Sequence, residues 1–141
     1  MILLKNLQLL PIHILLTIED LLMLEQLHCQ AIQNDYERID EAKLESYSNE
    51  IPSWDSVDIG GVPHLQKTFA FNHEHEVMMF TRQLMDLADL EKHHPEILCQ
   101  GNQVKVMWWT RDLADLHIND FIMAAKTDTI STKILEYSYL Q

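Results

Sequence analysis

Apolar and polar positions change period several times along residues 40–130, and each change marks an element. After Asp40, the apolar residues Ala42, Leu44, Tyr47 and Ile51 recur at roughly helical spacing. Asp40 suits an N-cap, and Glu41 suits the positive end of the helix dipole. Pro52 stops this helix. The stretch "WDSVDIGGVPHLQKTFAF" then reads as a hairpin turning at Gly60–Gly61, with Leu65, Lys67, Phe69 and Phe71 on one face of its second strand. Asn72 is placed to cap a long helix over about residues 73–90. Its positions Val77, Phe80, Leu84, Leu87 and Ala88 recur at three and four.

A second strand pair follows, residues 96–100 and 103–109, turning at Gly101–Asn102. Val104, Val106 and Trp108 point one way; Lys105, Met107 and Trp109 point the other. Bulk on both faces predicts a central strand, with helices covering one side and a partner or ligand the other. A last helix is expected from about Ile118 to Thr129, carrying Phe121, Ile122, Ala124 and Ala125. The order α-β-β-α-β-β-α predicts an α+β fold: a four-stranded antiparallel sheet with three helices packed on one face.

Composition narrows the function. With 141 residues, 47% of them hydrophobic and 23% charged, the chain is an ordinary globular sequence long enough for one core. Ten Lys and Arg against 22 Asp and Glu give a net charge of −12. That balance disfavours nucleic acid, which needs a basic footprint. Cys29 and Cys99 form no CxxC, so a reducing cytoplasm is the simpler location. Residues 1–22 are Leu/Ile-rich, yet only 13 uncharged residues separate Lys5 from Glu19, and Pro11 interrupts them. That is too short to cross a bilayer. The extension is read as non-native or dispensable, or alternatively as an amphipathic docking helix. Residues 23–141 are read as a single domain.

The densest candidate chemistry is "KHHPE", residues 92–96. Adjacent imidazoles at a helix–strand junction can offer one proton acceptor and one donor to a single ligand. The plain alternative is one histidine capping a helix carbonyl and the other in solvent. Asp89, one helical turn before His93, is placed to fix a tautomer. His73 and His75 in "NHEHE" are two apart, which does not place them on one helix face, and no metal-ligand spacing accompanies them. Trp108–Trp109 reads as one core ring and one exposed ring able to stack on a flat heterocycle. There is no nucleophile elbow and no phosphate-binding loop.

"EIPSW", "LQKTFAF", "MFTRQLMDLADLEKHHPE" and "VKVMWWTRDLADLHINDFIMAAKTD" occur in the order of the pterin-4a-carbinolamine dehydratase family. The chain resembles its bacterial branch over about residues 28–130. The resemblance implies dehydration of 4a-hydroxytetrahydrobiopterin to quinonoid dihydropterin, which recycles the cofactor of aromatic amino-acid hydroxylases. It implies no metal and no cofactor. It also implies a homodimer or tetramer, with a hydroxylase as a possible further partner.

By the same resemblance, His93 and His94 occupy the paired catalytic histidine positions, and Asp89 and Asp120 the carboxylate positions. Pro95, Glu96, Trp109 and Thr110 fall in the substrate-binding segments. Such chains carry a Ser/Thr-His pair after the tryptophans; here that pair is Thr110–Arg111. A guanidinium stays protonated and cannot serve as a general base. Arg111 is therefore expected to limit rate more than pterin binding. A weakly catalytic member acting as a dimerisation or regulatory partner is the alternative.

Overall fold

The structure is a computed structural model and describes residues 22–140. The expectations for residues 1–21 lie outside the described residues. Three α-helices and four strands follow the predicted order: α1 (Glu41–Glu50), β1 (Asp55–Ile59), β2 (Val62–Ala70), α2 (Glu74–Glu91), β3 (Glu96–Gln100), β4 (Gln103–Trp108) and α3 (Ile118–Tyr139). Short 3-10 turns lie at Leu24–Gln26 and Arg111–Leu113. All strand pairs are antiparallel, in the order β1-β2-β4-β3. β4 is central, as its two bulky faces implied.

Local chemistry explains most boundaries. The Asp40 carboxylate accepts the Lys43 amide at 2.8 Å and caps α1. Gly60 and Gly61 both take positive φ, 61° and 84°, the conformation a tight hairpin turn needs. The Asp58 carboxylate closes that turn on the Gly61 amide at 2.9 Å.

The core lies between the sheet and the helices. Phe80, Leu84 and Ala88 from α2, Val104, Val106 and Trp108 from β4, and Phe121 and Ile122 from α3 are all fully buried. The Trp108 indole N–H finds a buried acceptor in Thr127 Oγ1 at 3.2 Å. On the other face of β4, Met107 is buried and Trp109 half-buried within the single chain.

Two boundaries differ from the sequence reading. α2 is capped at His73, not Asn72, and His73 makes no side-chain cap bond. The fully buried Glu76 carboxylate instead accepts the Asn72 amide at 3.1 Å and the Ser138 hydroxyl at 3.0 Å. Burial opposes its charge, but those two donors hold its carboxyl below the usual range. Because His73 is extended and outside the helix, its ring stacks on His75 at 5.4 Å, which two residues within a helix could not do.

α3 runs ten residues past Thr129, to Tyr139. The sequence reading ends it near Thr129, just past the last of the apolar positions it uses. Ile134 (2% exposed) and the Ser138–Glu76 bond carry the helix on across the core, so tertiary contacts override weak local propensity.

The start of α3 is held by a reciprocal cap. His117 Nδ1 accepts the Asn119 amide at 3.1 Å, and the Asp120 carboxylate accepts the His117 amide at 2.9 Å. Burial lowers the pKa of His117 from its usual value; the nearby Asp120 charge opposes this and the His93 charge adds to it. The neutral ring is therefore the folded form, and protonating Nδ1 would break the cap. A depressed histidine pKa means the unfolded chain binds the extra proton first. The His117 contribution is present above about pH 6.5 and is lost as pH falls through its folded value. In His117→Asn, a good cap that does not titrate, the drop in melting temperature from pH 7.5 to 5.5 should be smaller than in the wild type. Equal drops in thermal melts would remove His117 from the acid sensitivity.

Candidate active site

The turn that ends α2 sets up the site. Lys92 takes a left-handed conformation, φ 56°, and the Lys92 and His93 amides both return to the Ala88 carbonyl. This closes the helix in the manner usually given to glycine. A lysine there costs roughly 1–2 kcal/mol. The reversal turns His93 inward and His94 outward, and Pro95 then starts the extended run into β3.

His93 is tightly held. Its Nε2 lies 2.6 Å from Asp120 Oδ1, and its ring stacks on Trp108 at 5.6 Å and 13°. Asp120 is fully buried, and its second oxygen accepts Thr110 Oγ1 at 2.8 Å and the His117 amide at 2.9 Å. With Asp120 accepting on both oxygens, Nε2 of His93 carries the hydrogen of this bond. Nδ1 is left for a ligand.

His94 is loosely held. Its Nε2 meets Asp89 Oδ1 at 2.7 Å, but the side chains are 47% and 74% exposed. Such a surface pair contributes little to stability. It fixes the ring's tautomer while leaving it open to water.

Arg111 ties the β4 exit to this turn. Its Nη1 donates to the His94 carbonyl at 3.1 Å, and the guanidinium lies 4.3 Å from the centre of the Trp109 ring. Beside it is an open recess of about 430 Å³, walled by Glu96, Met107, Trp109, Arg111, Ile59 and His64, among others. A larger cleft of about 540 Å³, lined by His73, His75, Glu76 and the end of α3, shares no wall residue with it.

The structure thus brings all nine candidates from the sequence into one neighbourhood. Asp89, His93, His94, Pro95 and Glu96 come from the α2–β3 turn; Trp109, Thr110 and Arg111 from the exit of β4; Asp120 from the first turn of α3. Two histidines escaped the sequence reading. His117 supports Asp120, and its signal was a cap spaced three residues before a carboxylate. His64 packs on Trp109 with ring centres 4.1 Å apart. Its only signal was alternation on β2, which cannot tell which strand lies alongside.

Cys29 is no competing nucleophile: burial and the Glu91 and Asp120 charges push its thiol up to about 12. Among the described residues, no three His, Cys, Asp or Glu side chains converge as a metal site would need. Among them, too, no helix is long and apolar enough to cross a membrane.

Comparisons with known proteins cover the stretch of chain that carries these residues. The family described as "Pterin 4 alpha carbinolamine dehydratase" matches residues 26–130. The chain is 39% identical over 111 residues to "Putative pterin-4-alpha-carbinolamine dehydratase 1" of Gloeobacter violaceus, covering 79% of this chain and 96% of that one. A protein of the same description from Microcystis aeruginosa is 38% identical over 107 residues, covering 76% and 92%. Among solved structures, a "transcriptional coactivator/pterin dehydratase" from Brucella melitensis superposes with a TM-score of 0.61 at 25% identity, covering 67% of this chain and 99% of that one. On sequence and fold together, the chain belongs to the pterin 4 alpha carbinolamine dehydratase family.

Proposed function

We propose that this chain dehydrates 4a-hydroxytetrahydrobiopterin to the quinonoid dihydropterin, with His93 and His94 as the working pair. The observation that carries the reading is the unequal tethering of two adjacent imidazoles. His93 is locked on a buried carboxylate with Nδ1 free, and His94 is open to solvent on an exposed one. In the reaction the carbinolamine C–O bond breaks and hydroxide leaves as water after taking a proton. A ring nitrogen gives up its N–H proton, so the balance is substrate to product plus water. His94, in contact with bulk water, suits repeated proton delivery to the leaving oxygen. His93, rigid and fixed in tautomer, suits holding the pterin ring through Nδ1.

The remaining candidates position the substrate. Trp109 offers an aromatic face, Glu96 an acceptor and Arg111 a fork of donors toward a ring oxygen. Thr110 and Asp120 act through His93, and Asp89 through His94. Arg111 also favours a second reading, a weakly catalytic member that works as a dimerisation or regulatory partner, because no base stands at that position.

The two readings separate in a turnover assay on the carbinolamine. Under the first, His93→Ala and His94→Ala each lower the rate by about 10²–10⁴-fold. Thermal melts stay close to wild type for the exposed His94→Ala, whereas His93→Ala also lowers the melting temperature because it takes a donor from buried Asp120. Wild-type turnover in both variants would end the catalytic assignment; no turnover in the parent protein would favour the regulatory one.

Self-association is part of the same proposal. Ile59 and Leu98 on the sheet and Met78 and Leu90 on α2 stay 46–75% exposed in the single chain. β3 is an edge strand, open to pairing with a second copy. Light scattering at micromolar concentration should give a dimer or tetramer, and a monomer at all concentrations would contradict this.

A further inference from the structure

We infer that His64, on β2, is the proton acceptor on the wall of the substrate recess, an inference that rests on the dehydratase reading above. The imidazoles around the site differ in which ring nitrogen is already bonded. His93 and His94 each use Nε2 on a carboxylate, and His117 uses Nδ1 to accept an amide. His64 Nδ1 lies 2.8 Å from the carbonyl oxygen of Val62. A carbonyl only accepts, so Nδ1 carries the hydrogen, and the neutral ring has a bare lone pair on Nε2. No buried side-chain nitrogen or oxygen among the described residues lacks a partner, and Nε2 has none. Nε2 therefore reaches the surface, and the surface His64 lines is the recess.

The surroundings fit a proton acceptor. The residue is only 5% exposed, and its ring rests on the Trp109 indole, so its orientation is fixed. Trp109 also carries the Arg111 guanidinium, so an imidazole and a permanent cation share one aromatic platform. Arg111 cannot take a proton. Across the sheet on the β1 side, His64 faces the apolar Val57. The charged groups around the recess are Arg111 and Glu96, from β4's exit and the start of β3. In the dehydration, the ring N–H bond breaks and its proton passes to Nε2 as the C–O bond opens. The imidazolium then returns the proton to water.

The test is a pair of measurements on the full chain. In His64→Asn, the amide Nδ2 can take over the hydrogen bond to Val62 while the second ring nitrogen disappears. Its kcat should fall by about 10²-fold or more, with KM changed less than about threefold. The limb of the pH–rate profile belonging to the acceptor should vanish, and added free imidazole should restore part of the rate. Unchanged kcat with an intact limb, or a loss confined to KM, overturns the inference. Nitrogen NMR of the wild-type imidazoles, titrated with 7,8-dihydrobiopterin, does not depend on how the variant folds. The Nε2 resonance of His64 should move and Nδ1 should stay; a stationary Nε2 overturns the inference. If wild type shows no turnover, the dehydratase reading fails and takes this proposal with it. Active wild type with an equally active His64→Asn sinks this proposal alone.

Discussion

A fully buried carboxylate, Asp120, is the constraint on which the site depends. Three groups reach it: the His93 imidazole from the end of α2, 27 residues away, and, from its own loop, the Thr110 hydroxyl after β4 and the His117 amide at the start of α3. Leaving an ionised group unpaired in the interior costs several kcal/mol, so the fold must supply all of these donors or keep the carboxylate out of the core. One of the same bonds, from the His117 amide, also caps the first turn of α3. The bond from His93 orients its ring against Trp108 as well. Stability and site geometry therefore rest on one set of contacts.

That arrangement works because the elements around it are rigid. α2 buries Phe80, Leu84 and Ala88 against the sheet, so the turn at its end is fixed in space. Lys92 then reverses the chain in a conformation a side chain resists. The cost is of the kind that persists where surrounding structure over-determines the backbone. On the other side, residues 24–39 strap the start of α3. Gln30 and Asn119 exchange two bonds of 2.8 Å, and the Tyr36 hydroxyl donates to the Leu116 carbonyl at 2.7 Å. The strap brings Tyr36 onto the His117 ring, which helps to keep that imidazole dry and neutral.

The exposed half of the site is built differently. His94, Asp89 and Arg111 are largely solvated, and their mutual bonds orient more than they stabilise. Trp109 is the one large apolar surface among them, with His64 and Arg111 both packed on it. A buried, preorganised half beside a wet, adaptable half suits a reaction that must both hold a flat ring and trade protons with water.

Much of this was legible in the chain itself. Period-two and period-three-to-four patterns located the strands and helices, most sharply where an element buries one face, as α2 and β4 do; α1, β1 and β3 hold no buried residue and were read from their caps and turns as well. The Gly60–Gly61 turn, the Asp40 cap and the central place of β4 followed from local chemistry that no tertiary contact reverses. The "KHHPE" turn announced itself because histidine pairs and proline have few structural reasons to stand together. What the sequence could not decide was anything set by register between distant strands or by the far end of a buried bond. α3 continues past a Thr-rich stretch only because Ile134 and Ser138 find partners in the core. Which imidazole nitrogen is spent and which is free depends on Asp120, Asp89, Asn119 and Val62 sitting where the folded chain puts them. His64 meets Trp109 because β2 pairs with β4 in the register that sets Leu65 opposite Trp108. Alternation assigns a side chain to a face, but only the folded sheet gives it a neighbour.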